Sequence, residues 1–474
     1  MSRKLRPLSG LDAGFLYLEE SGTPMHVGSV MLIEIPAAPT KKKTAYDFRS
    51  ALITHLRERM PRAPALRRVL HQAPLSLGHP MWMDADAVDP AKHILRRKLS
   101  GKGGEPALMR LVGKLHAQRL DRDVPMWQFV VIENVGPGLV ALYSKVHHAL
   151  LDGQGGVALA QALLDIEAKP ARARKRLNSA ASVAPVLRTR DLTQVAVRST
   201  VNQFAKLLRA LPATFRLAGS LGEAANLFGS LRENVLLAPN SVFNRQLGPG
   251  RSFAAISLPL DDIKRCARGH GVSLNDVVMA ICAGALRELL LKSDALPKKS
   301  LVAAMPVSLR EAGNQDANNQ VSMVQCALHT QIVDPLERLH AIHADTQQIK
   351  QRVAAFKNLI PTDFPGLAAP IWAAGLSRLW SMGHISERLP ALANLAISNV
   401  PGPPVPLYLA GARLRHYYPV SIVTHGLGLN ITVQSYAGHL EFGLTACSDI
   451  VAKPDILARA IERSLAELLE RLPA

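Results

Sequence analysis

Residues 145–156 read Lys-Val-His-His-Ala-Leu-Leu-Asp-Gly-Gln-Gly-Gly, with His147 and His148 adjacent, Asp152 four residues after the second histidine, and a glycine cluster behind it. Three chemistries suit such a set: a metal site, a structural turn around a buried histidine, or a general base. A metal would need both imidazoles to converge with Asp152, but neighbours at a strand end point to opposite faces, and no further ligand cluster lies nearby. Uncharged imidazole near neutral pH takes a proton from a hydroxyl attacking a carbonyl, which is worth roughly 100- to 10,000-fold in rate. His148 is the expected base, with Asp152 and Gly153 shaping the turn that holds it. The buried-turn reading stays open beside it. The chain lacks a G-x-S-x-G nucleophile elbow, so direct transfer is simpler than a covalent intermediate.

The elements around the motif follow from local pattern. Trp127 opens an apolar stretch to Glu133, Gly136-Pro-Gly138 turns the chain, and Leu139 to His147 returns it, a hairpin that leaves His148 at a strand end. Residues 157–166 have helical spacing, as do 46–60 and 108–120. Ser273 and Asp276 stand at capping-box spacing before the apolar run to Leu291. Leu429 to Tyr436 and Leu440 to Ala446 form another hairpin, and Pro454 opens a terminal helix. Strands and helices mix in both halves, so the fold class is α/β or α+β.

A chain of 474 residues implies two domains. Residues 1–168 carry the motif, 169–250 form a basic linker, and 251–474 make the second domain. Within the linker, residues 198–216 sort at ~100° per residue into an apolar side (Val201, Phe204, Leu207, Leu208, Leu211, Phe215) and a basic side (Arg198, Lys206, Arg209, Arg216), with Pro212 the one irregularity: a basic amphipathic helix, read either as a surface helix covering a core or as a lipid-surface contact. The net charge of +19 attracts polyanions such as phosphates or anionic lipid. Nucleic acid is not expected, because aromatic residues for base stacking are few and no helix-turn-helix or RNP-like pattern is present. The four cysteines show no CxxC spacing, which argues against zinc and disulfides and fits a reducing cytoplasm. Asp12 and Glu19-Glu20 interrupt what would be a signal peptide's apolar region, and no apolar run reaches the ~18 to 20 residues of a spanning helix. Any membrane association is expected to be peripheral.

His147-His-Ala-Leu-Leu-Asp-Gly153 resembles the HHxxxDG motif of the CoA-dependent acyltransferase superfamily. Further blocks, in order from end to end, resemble the bacterial wax ester synthase/diacylglycerol acyltransferases: Pro7-Leu-Ser-Gly-Leu-Asp12, Pro24-Met-His-Val-Gly28, Pro125-Met-Trp127, Asn275-Asp276, Pro306-Val-Ser-Leu-Arg310, Asn319-Gln-Val-Ser322, Ser398-Asn-Val-Pro-Gly-Pro403 and Leu429-Asn-Ile431. The family's Pro-Leu-Trp is Pro125-Met-Trp127 here, a volume-conserving exchange. The DFGWG motif of plant acyltransferases is absent.

The resemblance implies two chloramphenicol-acetyltransferase-like domains, mixed sheets flanked by helices, with an active-site tunnel at their interface. His148 would deprotonate a long-chain alcohol or the free hydroxyl of a diacylglycerol for attack on an acyl-CoA thioester; acyl-CoA is a substrate, and no bound cofactor or metal is expected. Asn275 and Asp276 match a family motif important for activity, although Asp276 also has a capping task. Ser398 and Asn399 are candidates for hydrogen bonds to the tetrahedral oxyanion, and Arg310 for an ion pair with Asp152 across the domains. The alternatives are a condensation-type transferase acting on another alcohol or amine, and a non-catalytic basic protein of lipid surfaces. An anionic inner-membrane face or lipid-droplet surface is the expected location, and the oligomeric state is left open.

Overall fold

The computed structural model describes residues 5–36, 46–72, 79–151, 155–168, 236–308, 321–356 and 391–473. Two six-stranded mixed sheets dominate it. The first runs, in spatial order, Tyr408–Leu409, Ala412–Val420, His26–Glu34, Leu139–His147, Trp127–Gly136 and Ile94–Lys98. Its strands are antiparallel except for the last pair. Alternation along each strand separates its two faces. Met31, Ile33, Phe129, Val131, Val140 and Leu142 join one buried cluster with the helices Gly10–Leu18 and Phe48–Arg59. Val30, Leu32, Val130 and Tyr143 face the helix Glu105–His116 on the other side. Gly28 is required at its place, because a Cβ there would lie 1.7 Å from the Ser144 carbonyl oxygen.

The second sheet runs Val321–Ala327, Val302–Ser308, Leu395–Val400, Leu429–Tyr436, His439–Cys447 and Arg251–Pro259. One face packs Ile397, Val433, Phe442 and Leu444 against the helices Leu274–Lys292 and Pro454–Glu470. The largest buried cluster forms there. The expected hairpins and terminal helix are present, as is the strand leading to His147. A four-residue strand, Arg68–His71, pairs with Met81–Asp84 in a small third sheet that also holds Arg6–Pro7.

The sheets do not divide the chain as a linear reading does. Ala412–Val420, placed by sequence in the 251–474 domain, adds to the edge of the first sheet through the partners of His26–Glu34. It crosses the second sheet, where His416 Nδ1 meets Glu441 Oε1 at 3.1 Å and the Tyr436 hydroxyl donates to the Leu414 carbonyl at 2.9 Å. Gly443 makes the crossing possible, since a Cβ would lie 1.7 Å from the Pro419 carbonyl oxygen. Phe253 of the second sheet shares a cluster with Val30, Tyr143 and Tyr418 of the first, so both halves enclose one apolar interface. The linker at 169–235 and its basic helix at 198–216 lie outside the described residues.

Candidate active site

The strand Leu139–His147 ends on its motif histidine, and a single 3-10 turn, His148–Leu150, follows at once. His147 is completely buried. Its Nδ1 accepts the Ala149 N–H at 3.1 Å, which places the ring proton on Nε2, 3.5 Å from Glu19 Oε1. Glu19 itself is buried at the end of the helix Gly10–Leu18. It accepts the Met25 N–H at 3.1 Å, and its other oxygen accepts Arg122 Nε at 3.1 Å and Nη2 at 2.9 Å. Burial pushes this carboxyl upward, but His147, Met25 and Arg122 together outweigh it and hold it at about 2.

His148 is held differently. Its N–H donates to the Met25 carbonyl at 2.8 Å, while its ring keeps part of its surface open and stacks on Phe15 with centroids 3.9 Å apart and planes at 16°. Among the described residues, Nδ1 has no hydrogen-bond partner in good geometry. Burial, with a smaller contribution from His147, lowers its pKa to about 4, against the pull of its own carbonyl. The imidazole is therefore free base throughout the neutral range. One histidine is fully buried, with Nδ1 bonded into the turn and Nε2 facing Glu19, and its neighbour has a partly open ring available for chemistry.

Behind them lies a buried polar layer that sequence reasoning missed. Lys145 donates to the carbonyls of Leu115 at 3.2 Å and Gln118 at 2.8 Å, closing the C-terminal end of the helix Glu105–His116. Burial lowers its ammonium to about 8, against the opposing charge of Glu19. His26, the register partner of His147, meets the His116 carbonyl at 2.8 Å, and His116 Nδ1 meets the Tyr143 hydroxyl at 2.7 Å. His116 Nε2 reaches the Ser421 carbonyl at 2.9 Å, which joins the layer to the second half of the chain. The only sequence signals were His26 inside a motif and a lysine at a strand position otherwise apolar.

The remaining candidates separate by face. Asp276 is fully buried and completes the capping box with Ser273, whose N–H it accepts at 2.9 Å. It also meets His343 Nδ1 at 2.7 Å and accepts the Thr346 hydroxyl at 2.7 Å, so it ties the helix Pro335–Phe356 to the helix it caps. Asn275 accepts from Asn399 Nδ2 at 3.5 Å. Asn399 thus shares the helix-covered face of its strand with Leu395 and Ile397, and Ser398 points to the opposite face beside its register partner Thr432, whose hydroxyl donates to Asn430 Oδ1 at 2.7 Å. Asp152, Gly153 and Arg310 lie outside the described residues. Among the described residues, no group of three or more His, Cys, Asp or Glu side chains is placed to hold a metal ion.

The wax ester synthase/diacylglycerol acyltransferase catalytic-domain model matches residues 8–278, and the C-terminal-domain model of the same family matches residues 317–469. The chain belongs to this family. A putative diacylglycerol O-acyltransferase of Mycobacterium tuberculosis is 35% identical over 464 residues, covering 97% of this chain and 99% of that protein. A solved wax ester synthase/diacylglycerol acyltransferase from Marinobacter aquaeolei superposes with a TM-score of 0.68 at 30% identity, with 98% of each chain covered. The first condensation domain of the calcium-dependent antibiotic synthetase shares the fold, with a TM-score of 0.56 at 17% identity over 99% of this chain and 98% of that one. The two-domain acyltransferase architecture expected from the motifs is the one this wax ester synthase/diacylglycerol acyltransferase family member has.

Proposed function

We propose that this acyltransferase esterifies long-chain fatty alcohols, diacylglycerol or both with the acyl group of acyl-CoA, and that His148 is the general base. The observation that carries the reading is the division of labour at the motif: His147 is buried, its Nδ1 holding the turn and its Nε2 facing the Glu19 carboxylate at 3.5 Å, whereas His148 presents a neutral, partly open imidazole. Nε2 of His148 takes the acceptor's hydroxyl proton as the oxygen attacks the thioester carbonyl. The tetrahedral oxyanion then collapses, the C–S bond breaks, and the imidazolium returns its proton to the leaving CoA sulfur. Ser398 is the better candidate for a hydrogen bond to that oxyanion, a role worth about 3 kcal/mol for a well-placed donor, because Asn399 is turned to Asn275. Asp152 and Gly153 shape the corner after the base, and Arg310 is the proposed partner of Asp152 across the halves. The reaction zone is proposed to lie between the two halves, in a tunnel open to CoA at one end and to lipid at the other.

The surroundings fit a lipid-directed enzyme. No helix among the described residues is long and apolar enough to cross a membrane, and the charge of +19 favours anionic surfaces. We place the protein on the cytoplasmic side, at the inner membrane face or at lipid inclusions. The decisive assay follows free CoA thiol from palmitoyl-CoA with hexadecanol, then with diacylglycerol. His148→Ala should fold normally and lose roughly 100- to 10,000-fold in turnover. Turnover near the wild-type value in that variant would remove the base assignment.

A further inference from the structure

We propose that Phe15 is the positioning residue that fixes the plane of the His148 imidazole; the inference rests on the assignment of His148 as base. The two rings lie nearly parallel, 3.9 Å between centroids and 16° between planes, which is van der Waals contact over a whole face. A histidine in a catalytic dyad or triad is ordinarily oriented by a partner at its second nitrogen. Here no described residue offers Nδ1 such a bond in good geometry, so hydrogen bonding among those residues does not set rotation about the Cβ–Cγ bond. A flat phenyl ring pressed on one face does set it, because a rotated imidazole would run into the phenyl carbons.

The helix that carries Phe15 is anchored at both ends. At its start Ser9 Oγ accepts the Asp12 N–H at 3.1 Å, the usual N-cap bond. At its end Glu19 accepts the Met25 N–H, and the Met25 carbonyl in turn receives the His148 N–H. Arg122 adds a bond to the Leu16 carbonyl at 2.9 Å within the same helix. The helix Gly10–Leu18 therefore fixes His148 twice, its backbone through Glu19 and Met25 and its ring through Phe15. A misplacement of about 1 Å at a reacting group costs on the order of 100-fold in rate, so a ring with restored rotational freedom should be costly.

A residue that merely fills space makes a different prediction. Phe15 borders the cluster of Leu16, Ala149 and Leu150, and leucine or methionine would occupy much of the same volume without a flat face. The full-length Phe15→Leu, Phe15→Met and Phe15→Tyr proteins are to be compared with wild type and His148→Ala by thiol release from palmitoyl-CoA with hexadecanol, after thermal unfolding has confirmed that each is folded. The expected result is a kcat lower by roughly 10- to 100-fold in whichever of the leucine and methionine variants folds, KM for both substrates within about twofold, and recovery of most of kcat with tyrosine, since only orientation is lost. Wild-type kcat in a folded leucine or methionine variant overturns the proposal. So does a raised KM at unchanged kcat, which would make Phe15 a wall of the substrate site. If His148→Ala is itself active, the base assignment falls and this inference with it; if His148→Ala is inactive and Phe15→Leu is normal, the inference alone falls.

Discussion

Buried titratable groups around the motif make acid stability a residue-scale property. Burial lowers His148 to about 4 and His116 to about 3, and holds His26 well below the ordinary histidine range. In the unfolded chain each titrates near 6.5, so below that pH the unfolded state binds protons that the native state refuses. Their contribution is fully present above about 6.5 and is lost as pH falls toward the folded values, at up to ~1.4 kcal/mol per pH unit for each group. Glu19, held at about 2, acts in the same direction lower down, its contribution disappearing between roughly 4.5 and 2. Urea midpoints measured from pH 7.5 to 4.5 should therefore decline steeply below 6.5. A flat profile down to pH 5 would show that these imidazoles are hydrated in solution. The histidine pair was readable as chemistry from residue type and spacing, but Glu19 was not. It stood out only as an acidic break in an apolar run, because its partners, Met25, Arg122 and His147, come from three separate stretches of the chain.

Elements whose signals are local were recovered, and those defined by distant pairing were not. The hairpin ending at His147, the capping box of Ser273 and Asp276, and the helix opened by Pro454 each depend on residues within a few positions of one another. The strand Ala412–Val420 has an alternating pattern too, yet nothing within it names a partner strand almost four hundred residues earlier. Asp276 shows both sides of this limit. Its cap was readable, whereas its bonds to His343 and Thr346 required the fold. Burial alone would raise its carboxyl, but His343, Thr346 and Ser273 outweigh that and lower it, so the carboxylate is the form the site holds. Asp276→Ala removes a cap and strips two side chains of their acceptor, and should cost roughly 2 to 4 kcal/mol in urea unfolding. Asp276→Asn should fall between that variant and wild type. An unchanged urea midpoint coupled to lost turnover would instead assign Asp276 to the chemistry.

For the whole molecule, the two sheets share one apolar interface and the surface carries a net charge of +19. These features bear on different steps. Burial keeps His148 in a water-poor place, where its low pKa arises, while the charge acts at long range on whatever carries the lipid substrate. A lysine or arginine near an anionic bilayer contributes about 1 kcal/mol, and the attraction is confined to a Debye length of about 10 Å at 0.1 M salt and about 3 Å at 1 M. A few such residues suffice for reversible association without a spanning segment. In flotation, the full-length protein should rise with phosphatidylglycerol vesicles at low salt, remain below with phosphatidylcholine vesicles, and be released by 1 M salt, on the order of a threefold-shorter screening length. The basic face expected at residues 198–216 adds a local arm to the test, since Lys206→Glu combined with Arg209→Glu should weaken flotation while leaving hexadecanol turnover in detergent unchanged. Equal flotation with neutral vesicles, insensitive to salt, would show that apolar insertion rather than charge brings this enzyme to its lipid.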